Sequence, residues 1–393
     1  MTKERVCTMN LIYFDNAATS FPKPVSVYEE VERCLRQYCG NPGRSSHPLA
    51  LAASEKIFEC RERLARMFHA ASPEQVVFTL NATHALNFVI KGLLRPGDHV
   101  LISDMEHNAV FRPVVRCSES YGLEYDVFSS MLETEDERRL RHPTRICARI
   151  AARIKPNTRA VICTHQSNLC SATLPIAEIG AFCRRHRLLF IVDASQSAGH
   201  LPIDMQAMNI DALCLPGHKG LLGIQGCGAA LLREGLIPDT LIEGGSGYAS
   251  LNPKMPATLP ERGEAGTLPT PAIAGLCAGL EYLEKVALES VGAHERALLC
   301  RLRDRLDSMK GYHIYLPEFE GSTLMFHREG VKSEEIGRYL AARGICVRTG
   351  YHCSALGHAT LHTPDGGGVR VSFGPFNRAA EVDQLYRALL EMR

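Results

Sequence analysis

The sequence predicts an α/β protein built around a mostly parallel β-sheet that is covered by helices on both faces. Six short apolar runs have the length and composition of buried strands, and amphipathic stretches such as residues 49–68, 85–94 and 176–186 lie between them. Strands that alternate with helices form parallel sheets, because each helix carries the chain back across the sheet. The six runs are residues 75–79, 99–103, 159–163, 188–193, 212–215 and 228–232.

A Gly/Pro-rich stretch, residues 243–271, interrupts this alternation. The segments that follow are two long helical ones and several strand-like ones, at residues 272–290, 294–310, 322–327, 345–348 and 368–373. With 393 residues, the chain is too long for one typical domain. We therefore predict a large domain at residues 20–270 and a smaller α/β domain made of residues 1–19 and 271–393.

The composition is that of an ordinary globular protein, with 45% hydrophobic residues, 22% charged residues and a formal net charge of +1. This charge argues against a nucleic-acid or membrane surface, and no apolar stretch reaches the roughly 18–20 residues of a membrane span. Residues 1–7 lack a hydrophobic signal core, and the 15 scattered cysteines include no Cys-x-x-Cys pair. We expect free thiols and a cytoplasmic location. The densely charged residues 133–145 are predicted to form a solvated helix face.

Two polar residues follow neighbouring predicted strands. Asp193 ends the run at 188–193, and Lys219 lies just beyond the run at 212–215. Residues just past the strand ends of an open α/β sheet meet in the ligand crevice. Pyridoxal phosphate needs such a pair, because a lysine amine forms its Schiff base and a carboxylate keeps its pyridine nitrogen protonated. A structural ion pair is the alternative.

Three further side chains are expected in the same crevice. Asn168 follows the run at 159–163 and could hydrogen-bond the cofactor's phenolic oxygen, although an asparagine there is often a turn residue. Gln196 could contact the same oxygen or simply start a helix. His107 follows the run at 99–103 and could stack on the ring and move protons, because an ordinary imidazole titrates near neutrality.

The cofactor's phosphate should meet backbone N–H groups at a helix start. Asn81-Ala82-Thr83-His84 lies between a predicted strand and an amphipathic segment and fits that role. The segment is not glycine-rich, so the signal is weak when taken alone.

Cys353 follows a strand and precedes a polar loop, next to Arg348 and His352. Access and nearby positive charge favour a reactive thiolate. An incidental cysteine in a cysteine-rich chain is the alternative, and local sequence alone favours it. Cys353, His358 and His362 also have metal-like spacing, but no second cluster completes a ligand set, and we predict no metal site.

Arg370 is charged where its neighbours in Val369-Arg370-Val371 are apolar. A buried arginine needs an anionic partner. A substrate α-carboxylate bound by both arms of the guanidinium is one candidate, and a structural Asp or Glu is the other.

With these residues in place, the chain resembles the NifS-like cysteine desulfurases and selenocysteine lyases of the class V aminotransferase family. The resemblance runs nearly end to end, and the segment from Arg348 to Cys353 looks like the second subgroup, in which a short, ordered loop carries the cysteine. The matching motifs are Tyr13-Phe14-Asp15-Asn16-Ala17-Ala18-Thr19, Asn41-Pro42-Gly43-Arg44-Ser45-Ser46-His47, Glu106-His107-Asn108-Ala109, Thr164-His165-Gln166-Ser167-Asn168, Val192-Asp193-Ala194-Ser195-Gln196, Gly217-His218-Lys219 and Glu264-Ala265-Gly266-Thr267.

The resemblance implies a fold-type I pyridoxal phosphate-dependent transferase with a seven-stranded sheet, active as a homodimer with sites at the subunit interface. It implies that Lys219 forms the Schiff base, Asp193 holds the pyridine nitrogen and His107 stacks on the ring. The other implied cofactor contacts are Asn168 and Gln196 at the ring oxygen, Ala82, Thr83 and His218 at the phosphate, and Thr267 at the phosphate of the neighbouring subunit.

The resemblance also implies the reaction, in which L-cysteine becomes L-alanine and sulfur passes to Cys353 as a persulfide for an acceptor protein. The substrate would be held by Arg370, Asn168, Arg348 and His47. A selenocysteine lyase is the nearest alternative. An aminotransferase or β-eliminating lyase of the same fold, or a non-catalytic persulfide relay, is more distant.

Two positions depart from the family pattern. Pro216 stands where relatives usually have a Ser or Thr that hydrogen-bonds the phosphate, and proline offers neither a hydroxyl nor an N–H. His84 stands where relatives often have an acidic residue. The first departure predicts weaker binding of the cofactor.

Overall fold

The computed structural model of the protein describes residues 11–43, 45–130, 143–315 and 321–392. Most of the charged segment predicted at 133–145, and residues 1–10 of the predicted small domain, lie outside the described residues. Within the described ranges, no helix combines the length and the apolar character needed to cross a membrane.

The largest sheet has seven strands and is mostly parallel, as the sequence predicts. After β1 (Ile12–Tyr13), its strands along the chain are β2 (Val76–Thr79), β3 (His99–Ser103), β4 (Glu124–Phe128), β5 (Thr158–Thr164), β6 (Leu189–Asp193), β7 (Ala212–Pro216) and β8 (Gly228–Leu232). Along the sheet the order is β2, β8, β7, β6, β5, β3, β4, and β8 alone runs antiparallel to its neighbours.

Strand β4 is the one that the apolar pattern misses. It forms one edge of the sheet and pairs in parallel with β3. Its residues Glu124 to Val127 stay partly or fully exposed, and only Phe128 is buried. An edge strand with charged residues does not show the continuous apolar run that identifies the buried strands.

Helices cover both faces of this sheet and bury a separate apolar core on each side. One core includes Phe190 and Leu213, and the other includes Ile102 and Ile191. The helices of this part of the chain are Val25–Arg33, Pro48–Met67, Ala82–Leu93, Asn108–Tyr121, Pro143–Ala151, Ile176–His186 and Thr270–Val286.

A second sheet of four antiparallel strands follows, in the order β12, β13, β10, β9. Its own core contains Phe14, and β1 pairs in parallel with β11, so the amino-terminal segment joins the carboxyl-terminal region. The run predicted at 345–348 is two short strands. The elements here are helices Leu288–Asp307, Ser333–Ala341, Ala355–Thr360 and Ala379–Glu391, with β9 (Tyr312–Tyr315), β10 (Thr323–Arg328), β11 (Ile345–Cys346), β12 (Arg348–Gly350) and β13 (Gly368–Ser372).

The division into two domains stays a prediction. The pairing of β1 with β11 agrees with assigning residues 11–19 to the smaller domain. Helix Thr270–Val286, however, contributes Leu276, Leu280 and Leu283 to the core of the large sheet, although the predicted boundary assigns nearly all of it to the smaller domain.

An ion pair covers the outer edge of β2, the strand at the other end of the large sheet. Glu264 accepts a hydrogen bond from the backbone N–H of Phe78 at 2.6 Å, and Arg61 donates to the carbonyl of Val76. The two side chains meet each other at 2.5 Å, and each is only 7% exposed. These two side chains therefore make the hydrogen bonds that a neighbouring strand would otherwise make with the backbone N–H of Phe78 and the carbonyl of Val76.

Candidate active site

The carboxyl ends of β5, β6 and β7 open into one cavity. Parallel strands place such a crevice at this edge of the sheet. Eight of the residues predicted from sequence line it together, which are Ala82, Thr83, His107, Asn168, Asp193, Gln196, His218 and Lys219.

Lys219 and Asp193 form the charged pair of the cavity. Asp193 is 2% exposed, and its Oδ1 accepts the backbone N–H of Ser195 at 2.9 Å. Burial lowers the pKa of Lys219 to about 8, against the opposing effect of the Asp193 charge. A lysine with this pKa exists partly as the free amine near neutral pH, which is the form that attacks a carbonyl or takes a proton.

The opposite end of the cavity is built on a helix start. The side chain of Asn81 caps helix Ala82–Leu93 by accepting the N–H of His84 at 2.9 Å. Ala82 and Thr83 lie in the first turn, where backbone N–H groups have no partner within the helix. Nearby, Nδ1 of His218 is buried and has no hydrogen-bond partner among the described residues. A bound phosphate suits a helix start, and the unpartnered nitrogen of His218 leaves one polar contact beside it unmade.

Pro216 ends β7 and lines the cavity with His218. It offers no hydrogen-bond donor there, as expected from the sequence. Lys23, which sequence reasoning missed, lies next to this end: its Nζ donates to the carbonyl of His218 at 2.8 Å and to the hydroxyl of Ser20 at 2.6 Å. Burial lowers the pKa of Lys23 to about 8. Its motif, Phe21-Pro22-Lys23-Pro24, gave no local signal of this position.

His107 lines the cavity as a neutral ring. Burial lowers its pKa to about 4, so the near-neutral value expected from sequence is wrong for this protein. Its Nδ1 accepts the N–H of Ala109 at 3.0 Å at the start of helix Asn108–Tyr121. Since Nδ1 accepts, Nε2 carries the proton of the neutral ring and is available as a donor.

Glu106 is a second residue that sequence reasoning passed over. Its carboxyl group is fully buried, and Oε1 accepts from the hydroxyl of Ser103 and from the N–H of Thr164 at 2.8 Å. Burial raises its pKa to about 8, so it holds a proton near neutral pH. Its neighbour in sequence, His107, had drawn attention to this loop, but no signal marked the glutamate itself.

The Cys353 loop is bonded directly to residues beside the cavity. The Asn168 side chain donates to the carbonyl of His352 at 2.8 Å, and the N–H of Asn108 donates to the carbonyl of Cys353 at 2.8 Å. The amide of Asn168, expected at the cofactor's ring oxygen, thus also anchors the loop. Cys353 itself is exposed, and Nη2 of Arg348 lies 3.7 Å from its sulfur.

His352 supplies no positive charge to this cysteine, contrary to the expectation from sequence. Burial, together with the charges of Arg370 and Arg348, lowers the pKa of His352 to about 2. Arg348 is therefore the cation beside Cys353.

Arg370 is 1% exposed and has a structural carboxylate partner, Asp15, which is one of the two alternatives that the sequence left open. Its Nη2 donates to Asp15 at 2.8 Å and its Nη1 to the carbonyl of Asn168 at 3.1 Å. In the described part of the chain its Nε has no acceptor. Arg348 is the register partner of Arg370 on the neighbouring strand β12.

Three predicted site residues make other contacts. The side chain of Gln196 lines the cavity but donates to the carbonyl of Ala17 at 3.1 Å. His47 caps helix Pro48–Met67 by accepting the N–H of Ala50 at 3.2 Å, and Thr267 lines a different concavity. Within one chain, neither His47 nor Thr267 is among the residues that line the cavity.

The chain matches one known protein family over nearly its whole length. Residues 12–385 match the model of the class V aminotransferases. The chain belongs to this family. Its members are pyridoxal phosphate enzymes, and the cavity fits that cofactor, because it combines a buried lysine, a buried carboxylate, a helix start and the unpartnered nitrogen of His218.

Several relatives of this class V aminotransferase family member carry a named activity. A probable cysteine desulfurase of Methanothermobacter thermautotrophicus is 32% identical over 390 residues, which cover 97% of this chain and 94% of that protein. A cysteine desulfurase of Escherichia coli is 30% identical, covering 96% and 92%. Among solved structures, the apo cysteine desulfurase of Thermococcus onnurineus NA1 superposes with a TM-score of 0.85 at 27% identity, covering 97% of this chain and 94% of that one.

Proposed function

We propose that this protein is a pyridoxal phosphate-dependent cysteine desulfurase that converts L-cysteine into L-alanine and receives the sulfur on Cys353. One observation carries the proposal: the backbone carbonyls of Cys353 and of its neighbour His352 accept hydrogen bonds from Asn108 and Asn168, beside a cavity that contains Lys219 and Asp193. A general pyridoxal phosphate enzyme has no need of a nucleophilic thiol at this position.

The bound cofactor supplies an electron sink for the charge that develops at the substrate Cα. Asp193 provides the buried negative charge that the pyridine nitrogen requires, and His107 offers a neutral ring with a proton on Nε2. Lys219 removes the Cα proton, a step for which a pKa of about 8 is suitable. Arg370 and Arg348 hold the substrate carboxylate, which takes the free hydrogen-bonding capacity of Arg370.

Sulfur transfer is then the work of Cys353. Its thiolate attacks the sulfur of the substrate, so that a sulfur–sulfur bond forms as the carbon–sulfur bond breaks. The electrons of the broken bond remain with the carbon, which is protonated to give L-alanine. Cys353 is left as a persulfide, and a thiol or an acceptor protein removes the outer sulfur later.

We further propose that the protein is a homodimer and that it is located in the cytoplasm. A homodimer would bring the partner's copies of Thr267 and His47 towards the cavity, which explains why neither residue lines it within one chain. All 14 described cysteines are free thiols, which supports a reducing compartment such as the cytoplasm. An acceptor protein for the sulfur is part of the proposal, because a persulfide on an exposed loop is accessible to one.

The test is alanine formation from L-cysteine with a thiol reductant, comparing wild type with Cys353→Ala and with Cys39→Ala. Cys39 is the matched control, because it is also exposed and lies away from the site. We expect alanine from wild type and Cys39→Ala and none above background from Cys353→Ala. Equal alanine formation by all three proteins would contradict the proposal. Absence of alanine from cysteine, together with alanine and selenide from L-selenocysteine, would replace it by a selenocysteine lyase.

A further inference from the structure

The segment after Cys353 returns to pack against the cysteine loop. Helix Ala355–Thr360 follows directly, and the N–H of Gly366 donates to the hydroxyl of Tyr351 at 2.9 Å. The ring of Tyr351 meets the ring of His358 edge-on, with centroids 5.3 Å apart. No step of the proposed desulfurase reaction uses a residue of this segment.

A line of hydrogen bonds runs through this contact. Oγ1 of Thr363 lies 2.8 Å from Nδ1 of His358, and Nε2 of His358 lies 3.4 Å from Nδ1 of His352. Nε2 of His352 in turn lies 3.3 Å from the carbonyl oxygen of Arg348. The two imidazoles are 3% and 5% exposed, and their planes are 10° apart.

Chemistry fixes the direction of every bond in this line. The carbonyl of Arg348 can only accept, so Nε2 of His352 carries a proton. Burial lowers the pKa values of His352 and His358 to about 2 and about 4, so both rings are neutral and each has one bare nitrogen. Nδ1 of His352 is therefore an acceptor for His358, and Nδ1 of His358 is an acceptor for the hydroxyl of Thr363.

The line ends at a strained backbone that needs support. His352 and Cys353 are consecutive non-glycine residues with φ of +50° and +58°, and each carries the cost of the left-handed conformation. The carbonyl groups of both residues are bonded to Asn168 and Asn108, but those contacts do not restrain the side chain of His352.

We propose that His358 and Thr363 are positioning residues that fix the tautomer and orientation of His352 and so hold Cys353 and Arg348 in their relative places. The cysteine is then preset beside the cavity, without a loop that must close at each turnover. This inference rests on the proposed desulfurase function and extends it to residues outside the cavity. It also gives the segment between Cys353 and β13 a structural role, which is to support the cysteine loop.

The matched variants are Thr363→Val, which keeps the shape and removes the hydroxyl, and Thr363→Ser, which restores it. For Thr363→Val we expect kcat with L-cysteine to fall about three- to tenfold, the effect of one partly buried hydrogen bond, with KM and cofactor affinity within twofold of wild type. Thr363→Ser should regain most of the lost kcat. Thr360→Val is the control, because Thr360 donates to the carbonyl of Asp104 and is not in the line.

A second measurement keeps this inference separate from the proposed function. Amide hydrogen exchange at residues 351–354 should be faster in Thr363→Val than in Thr363→Ser and Thr360→Val, with unchanged exchange at β6 and β7. If wild type makes no alanine, the desulfurase proposal fails. The hydrogen-exchange comparison alone then tests whether His358 and Thr363 position the cysteine loop. Unchanged kcat and exchange in Thr363→Val, or an equal loss of kcat in Thr360→Val, would overturn the inference.

Discussion

The cavity and the cysteine loop are built on different principles. Residues of the cavity follow regular strands, and the sheet brings Asn168, Asp193 and Lys219 to one edge by its topology alone. The cysteine loop has no such frame: hydrogen bonds from Asn168 and Asn108, and from the neutral histidine pair, hold two left-handed residues in place. Topology positions the cofactor chemistry, whereas individual side chains position the sulfur chemistry.

The first prediction addresses the cavity and has the largest effect. Lys219→Ala should lower the rate of alanine formation by about 10²–10⁴-fold, because it removes the base expected to take the Cα proton. Initial rates of alanine formation with added pyridoxal phosphate measure this effect. Lys91→Ala, at an exposed helical position, is the control. A decrease of less than tenfold would show that another group takes the proton.

The second prediction addresses the cysteine loop. A Cβ at Gly367 would lie 2.1 Å from the carbonyl oxygen of Gly350, at a φ of +68°, whereas Gly330 has a φ of +70° and open space around it. Gly330→Ala should cost about 1–2 kcal/mol of unfolding free energy, the cost of left-handed backbone alone. Gly367→Ala should cost about 1–3 kcal/mol more, because backbone must move to admit the methyl group. Denaturant unfolding of both variants measures the difference, and equal stabilities would argue against the packing described for this loop.

The third and smallest effect concerns Glu106, which joins the two regions. Its carboxylate oxygen accepts from Thr164 in β5, and its backbone carbonyl accepts from Ser354 after the cysteine at 3.2 Å. Because its pKa is raised from 4.5 to about 8 in the folded protein, its contribution to stability is complete below pH 4.5 and is lost as the pH rises towards 8. Glu106→Gln removes this dependence.

The melting temperature of Glu106→Gln relative to wild type should therefore rise by a few degrees between pH 5.5 and pH 8. Glu391→Gln, at the exposed end of the last helix, should show no such trend. A difference between Glu106→Gln and wild type that stays constant with pH would mean that the buried carboxyl is already ionised at pH 5.5.

The comparison of the two regions also explains what the sequence could predict. Apolar runs identify buried strands, so the pattern predicts every strand of the large sheet except β4. Strand ends and helix starts identify seven of the eight lining residues, and the eighth, His218, follows only from the family resemblance. The charge states of His107 and His352 could not be predicted in this way, because they depend on burial, which the spacing of residues in the sequence does not reveal. The contacts of Asp15, Lys23 and His358 could not be predicted from the sequence either. Asp15 and Lys23 contact residues that are distant in sequence, and His358 contacts His352 because the chain reverses direction between them.

The ion pair at the outer edge of β2 has a consequence for synthesis of the chain. An open strand edge is a template for pairing with another chain, and Arg61 and Glu264 block this template in the finished protein. Glu264, however, lies 186 residues after Phe78, the residue whose N–H it accepts. Until the ribosome has synthesised Glu264, only Arg61 is available to cover the edge of β2. During this interval the incomplete chain is most exposed to aggregation and to chaperone binding.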